Sequence, residues 1–250
     1  MDIVFCLVVL ISLSLGSFSN NLISFYIGTS PFDYKRSMCF CGKQRLKIWE
    51  IIPLLSFIIQ KGRCSYCNDR IPFRFIVVEF IVMALGILNY LKYGLTLVFV
   101  FNYLIIFVLV LIGIIDFISF IIPNHLTFAL ILLLVLKIVF MQNHFEPITL
   151  LIPFLIPALL LALNINAKKK FIGMGDIKLL PFLLIIIGFP VNLFALWLSA
   201  AIGVFVYYTF HLFKSKLVPF GAFLSLSFIV CLLLEKEIYN VFTILITPSN

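Results

Sequence analysis

Long apolar stretches with few charged positions recur along the chain and predict its secondary structure. They lack the alternation of apolar and polar positions that marks a half-buried strand. An apolar helix of about 20 residues crosses the roughly 30 Å hydrocarbon core of a bilayer, so the pattern predicts transmembrane helices. Charged residues, prolines and glycines separate eight such segments, at about residues 3–25, 73–91, 95–116, 120–141, 148–166, 171–188, 191–212 and 217–234.

The composition excludes a water-soluble protein. Of the 250 residues, 64% are hydrophobic and 11% are charged, whereas a soluble domain carries about 25% charged residues. Because apolar and polar residues do not alternate along these segments, the sequence also argues against an outer-membrane barrel. The predicted fold class is all-α, a polytopic membrane protein with about eight transmembrane helices. Its predicted parts are a first transmembrane helix (1–27), a basic cytosolic insert (28–72) and a multi-helix membrane domain (73–250).

The positions of the basic residues predict the orientation of these helices. Fifteen of the 18 lysines and arginines fall on loops that share one side of the membrane if eight helices alternate in direction. An excess of basic residues marks cytoplasmic loops, so both termini are predicted to face outward. The net charge of +8 is explained by contact of these loops with anionic lipid and requires no nucleic-acid partner.

Three acidic residues, Glu79, Asp116 and Asp176, lie in apolar sequence or at its edge. A charge at the bilayer centre costs about 2.5–3.5 kcal/mol on insertion scales, so such residues mark sites of function. Asp116 ends the third predicted span and Asp176 begins the sixth, both on the cytoplasmic side. The topology therefore predicts that these two can meet. Two adjacent carboxylates share a proton and can activate a water, which is the chemistry of an aspartic protease.

The same residues leave other interpretations open. Gly173 and Gly175 would let a substrate backbone come close to Asp176, yet glycines are common in membrane helices. From this motif alone, a protease dyad and a proton or cation pathway are level. Lys178 is assigned to the membrane edge, where it supports the site. Glu79 is either a polar contact between helices or part of the site.

Four cysteines of the predicted insert form two close pairs. Disulfides are rarely kept in the reducing cytosol, and two such pairs are typical of a tetrahedral zinc site. The second pair has the Cys-x-x-Cys spacing, and the first is one residue shorter. A zinc site and unligated thiols therefore both remain open for Cys39, Cys41, Cys64 and Cys67.

Five short motifs follow one another in order along almost the whole chain. They are 16–20 (Gly-Ser-Phe-Ser-Asn), 52–56 (Ile-Pro-Leu-Leu-Ser), 62–67 (Gly-Arg-Cys-Ser-Tyr-Cys), Asp116 with 122–124 (Ile-Pro-Asn), and 173–179 (Gly-Met-Gly-Asp-Ile-Lys-Leu). Together with Glu79 in the helix after the insert, these motifs resemble those of the type IV prepilin peptidases. These are the leader peptidases of type IV pili, type II secretion and competence systems.

This resemblance implies an aspartic endopeptidase with Asp116 and Asp176 as its catalytic residues. It implies an enzyme of the bacterial inner membrane that cleaves prepilin or pseudopilin substrates at the cytoplasmic face, after the glycine that ends a short basic leader. It also implies that S-adenosylmethionine supplies a methyl group to the new N-terminal residue.

Two alternatives to a peptidase follow from the same residues. A proton-coupled transporter would use the same aspartates, and a scaffold for pilus assembly would need only the basic insert. The helices before and after the middle of the chain do not resemble each other. This disfavours a transporter built from inverted repeats.

Overall fold

A computed structural model describes residues 3–28, 47, 52–141, 147–166, 173–210 and 218–246. Within these ranges the chain is all-α, as predicted, and an isolated bridge between Arg63 and Arg70 is its only β-type pairing. The helices are α1 (Ile3–Ile27), α2 (Leu55–Ile59), α3 (Arg74–Tyr93), α4 (Leu97–Ser119), α5 (Asn124–Phe140), α6 (Pro147–Asn166), α7 (Met174–Ile186), α8 (Val191–Phe210), α9 (Phe220–Leu233) and α10 (Glu235–Ile246).

Eight of these helices coincide with the eight predicted spans, and the polytopic membrane class is confirmed. Among the residues that the structure describes, four helices are long and apolar enough to cross a bilayer alone: α1, α3, α4 and residues Val191–Thr209 of α8. Two helices, α2 and α10, were not predicted. The first has only five residues, and the second begins with Glu235, Lys236 and Glu237, which ended the apolar segment in the sequence.

The chain divides into two compact units, Met1–Phe99 and Val100–Asn250. In the first unit α1 packs along α3. The backbones come so close that a Cβ on Gly16 would lie 2.8 Å from the Cα of Glu79. The Asn20 amide donates a hydrogen bond to the carbonyl of Phe75 at 2.9 Å. A glycine and a buried amide thus fix the crossing of α1 and α3. The division of the chain into three parts, proposed from the sequence, stays a prediction.

The described part of the insert contains α2 and a tight hairpin. The hairpin is closed by the Ile71 N–H, which donates to the carbonyl of Gly62 at 2.9 Å, and by the Cys64 N–H, which donates to the carbonyl of Asp69 at 2.9 Å. Asn68, at its tip, has a φ of 57°, in the left-handed region that asparagine tolerates better than most residues. This short loop brings Cys64 and Cys67 to one turn.

The second unit is built around α7. This helix has 13 residues, contains Pro181 and packs against α5, α6, α8 and α9. Leu179, Leu180 and Leu183 are among its buried side chains. Because other helices pack around α7, the carboxylate in its first turn lies among the ends of neighbouring helices and is not exposed to lipid on all sides.

Candidate active site

Asp116 lies in the last turn of α4 and is 4% exposed. An acidic side chain near the C-terminal end of a helix is disfavoured by the helix dipole. Its position is therefore stable only if other elements supply hydrogen-bond donors. The α4 helix ends just beyond it, where the Phe120 N–H donates to the carbonyl of Asp116 at 2.8 Å and Phe120 has a φ of 57°.

The N-terminal end of α9 supplies the donors that Asp116 needs. The first N–H groups of a helix have no partner within the helix and carry partial positive charge. The Ala222 N–H donates to Oδ2 of Asp116 at 2.9 Å. The Gly221 N–H also interacts with Asp116 and with Asp176. The positive end of α9 is thus directed at both carboxylates.

Asp176 lies in the first turn of α7, which begins after Gly173. Here the dipole of its own helix favours a negative charge. The carboxylate turns back toward the start of the helix, so that a Cβ on Gly173 would lie 3.0 Å from Oδ2 of Asp176. Asp176 is half-buried, and it interacts electrostatically with Asp116.

Gly221 is the point where the two aspartates converge. A Cβ built on Gly221 would lie 3.0 Å from Oδ2 of Asp116 and 3.0 Å from Oδ1 of Asp176. The two carboxylate oxygens are therefore no further apart than twice that distance, which is within reach of a single bridging water. The meeting of Asp116 and Asp176, expected from topology, is present in the structure.

The two aspartates line a cleft of about 280 Å³. Gly175 and Lys178 of α7 also line it, and Lys178 is exposed. The structure thus gathers four of the predicted site residues around one cleft, with Gly173 at the carboxylate of Asp176. The remaining lining comes from the loop after α4 and the start of α5, at Phe120, Ile121, Ile122 and Asn124.

Glu79 belongs to the other unit of the chain. Its side chain is 7% exposed, and Oε2 accepts a hydrogen bond from the Leu54 N–H at 2.7 Å. Asn20 and Ser17 of α1 also donate to the Glu79 carboxylate. Leu54 has a φ of 61°, a conformation that is uncommon for a residue with a side chain. Glu79 thus connects α1 and α3 to the start of α2, and a part for it in catalysis stays a prediction.

We expect Glu79→Ala to lower the free energy of unfolding by about 1–3 kcal/mol, because it leaves the part-buried N–H of Leu54 without its carboxyl acceptor. Glu79→Gln should cost less, since its amide oxygen still accepts a hydrogen bond. Thermal unfolding of the full chain in detergent measures both. Asp69→Ala, in the exposed part of the hairpin, is the control, and equal melting temperatures for Glu79→Ala and Asp69→Ala would contradict this role.

The structure describes only the second of the two predicted cysteine pairs. Cys64 and Cys67 lie in one turn, and the Asn68 N–H donates to the carbonyl of Cys64 at 3.0 Å. Two thiols three residues apart fit half of a tetrahedral zinc site. Cys39 and Cys41 fall outside the described residues, and within those residues no group of three potential metal ligands occurs. Zinc therefore stays a prediction.

Sequence reasoning missed Gly221 and Ala222 as parts of the site, and it named Ile122 only within a motif. The signal that could have found the first two is Pro219 followed by a glycine at the start of a predicted span. Proline and glycine there mark a helix N-terminus with little side-chain cover. The predicted topology places that terminus on the same side as Asp116 and Asp176.

Two family profiles match the chain. The one described as the bacterial peptidase A24 N-terminal domain matches residues 10–93. The one described as the type IV leader peptidase family matches residues 103–208, which include both aspartates. The boundary between the two matches falls close to the division of the chain into its two units.

Curated proteins named prepilin leader peptidase/N-methyltransferase are similar to the chain. The protein from Vibrio cholerae is 31% identical over 50% of this chain and 52% of its own length. The protein from Legionella pneumophila is 28% identical over 82% of this chain and 74% of its own length. The protein from Aeromonas hydrophila is 28% identical over 92% of this chain and 90% of its own length. No solved structure matches.

Proposed function

Because the chain belongs to the type IV leader peptidase family, we propose that it is a membrane-embedded aspartic endopeptidase acting on prepilin-like proteins. Membership confirms the family resemblance of the motifs. The chain spans about half the length of the Vibrio cholerae relative and most of the Aeromonas hydrophila relative. The proposal assigns the peptidase activity to Asp116 and Asp176.

The observation that carries this proposal is the convergence of both carboxylates on Gly221. Two carboxylates this close repel each other when both are ionised, so the pair holds one proton between them over a range of pH. The ionised member can act as a general base and the protonated member as a general acid. A water between them then has both groups that hydrolysis of a peptide bond requires.

The proposed reaction begins when the ionised aspartate removes a proton from the bridging water. The water oxygen bonds to the carbonyl carbon of the scissile peptide, while the protonated aspartate gives its proton to the carbonyl oxygen. The tetrahedral intermediate collapses when the C–N bond breaks: the leaving nitrogen takes the proton that the first aspartate removed from the water, and a hydroxyl of the intermediate returns a proton to the second aspartate. The products are a leader with a new carboxylate and a mature chain with a new amino terminus.

The surroundings of the two aspartates suit this chemistry. Asp116 is buried and hydrogen-bonded to the Ala222 N–H, which fixes its orientation without consuming both of its oxygens. Asp176 is half-buried and faces the cleft. Helix N-termini aimed at the pair stabilise the negative charge that the base carries before it takes the proton. The cleft gives a peptide backbone a way in.

We also propose that the chain adds a methyl group to the new amino terminus. Support comes from the name N-methyltransferase that the relatives carry. S-adenosylmethionine would supply the methyl group: its S–CH3 bond would break and leave S-adenosylhomocysteine, while the amine nitrogen would lose a proton as the new C–N bond forms. We further propose that the site faces the cytoplasm. Support comes from the basic loops, which the sequence places on the same side of the membrane as the two aspartates.

Both activities are tested with the full chain reconstituted in liposomes and a synthetic substrate. The substrate has a short basic leader ending in glycine, then phenylalanine and an apolar helix. Mass spectrometry should find the leader cut after the glycine, and with S-adenosylmethionine the mature product should gain one methyl group. Substrate-dependent proton flux without any cleavage would overturn the peptidase in favour of a transporter. Cleavage with no added methyl would restrict the chain to proteolysis.

A further inference from the structure

Ile122 has a special position in the cleft that the proposed reaction does not use. It lies in the connection between α4 and α5, and both ends of this connection are fixed. The Phe120 N–H closes the end of α4 on the carbonyl of Asp116, and the Leu126 N–H donates to the carbonyl of Pro123 at 3.1 Å. Held between two helix ends, Ile122 is a fixed wall of the cleft.

The side chain of Ile122 covers glycines on two different helices. Its Cδ1 lies 2.7 Å from the position that a Cβ on Gly221 would occupy, and 3.4 Å from the corresponding position on Gly175. Its own Cβ lies 3.2 Å from the latter position. Gly175 directly precedes Asp176 in the chain, and Gly221 directly contacts both aspartates. One apolar side chain thus fills the space next to both carboxylates.

A peptide that reaches the aspartates through this cleft meets Ile122 among the side chains that line it. For the bridging water to attack, the scissile carbonyl has to lie about 3–3.5 Å from it. At that distance the substrate residue beside the bond would compete with Ile122 for the space over Gly175 and Gly221. Isoleucine is branched at Cβ and has few rotamers, so it does not readily turn aside.

We propose that Ile122 is a specificity-determining residue that limits the size of the substrate residue preceding the scissile bond. This inference rests on the proposed peptidase function and deepens it. A residue without a side chain fits beside Ile122, and each added carbon displaces either Ile122 or the scissile carbonyl. Shortening Ile122 should therefore let alanine stand where the proposed substrate has glycine.

The test uses two substrate peptides that differ only in glycine or alanine before the scissile bond. The measured quantity is the ratio of kcat/KM for the alanine peptide to that for the glycine peptide, with the full chain in liposomes. One carbon atom in a tight pocket changes this selectivity by about 10–200-fold. We expect Ile122→Ala to raise the ratio at least about tenfold over wild type, and Ile122→Val to raise it less.

The matched control is Ile118→Ala, one turn earlier, where the side chain is exposed and does not line the cleft. Its ratio should equal that of wild type. The proposal is overturned if Ile122→Val and Ile122→Ala both cleave the glycine peptide and both keep the wild-type ratio of kcat/KM between the alanine and glycine peptides. Failure of wild type to cleave even the glycine peptide would instead overturn the peptidase function, so the two failures are distinguishable. The Val variant removes a single carbon and keeps the test valid if the Ala variant does not fold.

Discussion

Replacement of Asp116 or Asp176 by asparagine should lower kcat/KM for leader cleavage at least about 1000-fold. An amide can neither take a proton from water nor donate one as an acid, and general acid–base catalysis contributes about 10²–10⁴-fold. The double variant should be scarcely worse than either single variant, because the two groups act as a unit. Initial rates with the synthetic leader peptide measure all three.

Asp69→Asn is the control for the loss of one negative charge, since Asp69 lies in the exposed hairpin of the insert. It should cleave at the wild-type rate. Each variant must also show the wild-type melting temperature in detergent, so that loss of activity is not loss of fold. If a folded Asp116→Asn or Asp176→Asn variant still processes the peptide within tenfold of wild type, the catalytic pair is wrongly assigned.

Gly221→Ala should lower kcat/KM for cleavage by up to about 100-fold, although it leaves both acids in place. The new Cβ would lie 3.0 Å from an oxygen of each aspartate and 2.7 Å from Cδ1 of Ile122. The contact with Ile122 is too short and the contacts with the two carboxylates are tight, so these three side chains must shift to make room. Displacement of reacting groups by about 1 Å can cost a factor of about 10² in rate. The substitution therefore tests the arrangement of the site and not its composition.

Gly188→Ala is the matched control for this prediction. Gly188 is exposed, and a Cβ built on it meets nothing within 4 Å. It should retain wild-type activity, which shows that an extra methyl group in the second unit is harmless by itself. A folded Gly221→Ala variant as active as Gly188→Ala would mean that the aspartates do not react where the structure holds them.

The sequence predicted the acids of the site because a charged residue in an apolar segment is conspicuous. Asp116 interrupts a long hydrophobic run and Asp176 lies at the edge of one, and the cost of a charge in lipid implies a function for each. Their meeting followed from counting spans, since the third and sixth spans end and begin on one side. This reasoning needs only polarity and order along the chain, both of which the sequence contains.

The sequence could not identify the neighbours of the acids in the same way. A glycine in an apolar segment is ordinary in a membrane protein. The role of Gly221 arises from its N–H, which interacts with both aspartates, and from its lack of a side chain where Ile122 and the two carboxylates come close. Ile122 likewise resembles any other apolar residue. Non-local packing decides the functions of such residues, and periodicity carries no information on it.

The helices α2 and α10 were missed for local reasons. A helix of five residues is too short to show the recurrence of apolar positions every three or four residues. In α10, three charged residues interrupt the apolar sequence before the helix continues as 238–246. Hydropathy is a good predictor of long apolar helices. It is a poor predictor of helices that are short or that begin with charged residues.

The shortness of α7 and α9 has a consequence for the lipid around them. At 1.5 Å per residue, their 13 and 14 residues are about 20 Å long, while an average hydrocarbon core is about 30 Å thick. A segment shorter than the core is accommodated by local thinning of the bilayer. Both helices begin beside the cleft that holds the two aspartates, so thinning there would bring water and headgroups to a depth that a full-length span would keep dry. We expect such thinning to shorten the path by which a water molecule and a polar leader reach the aspartates.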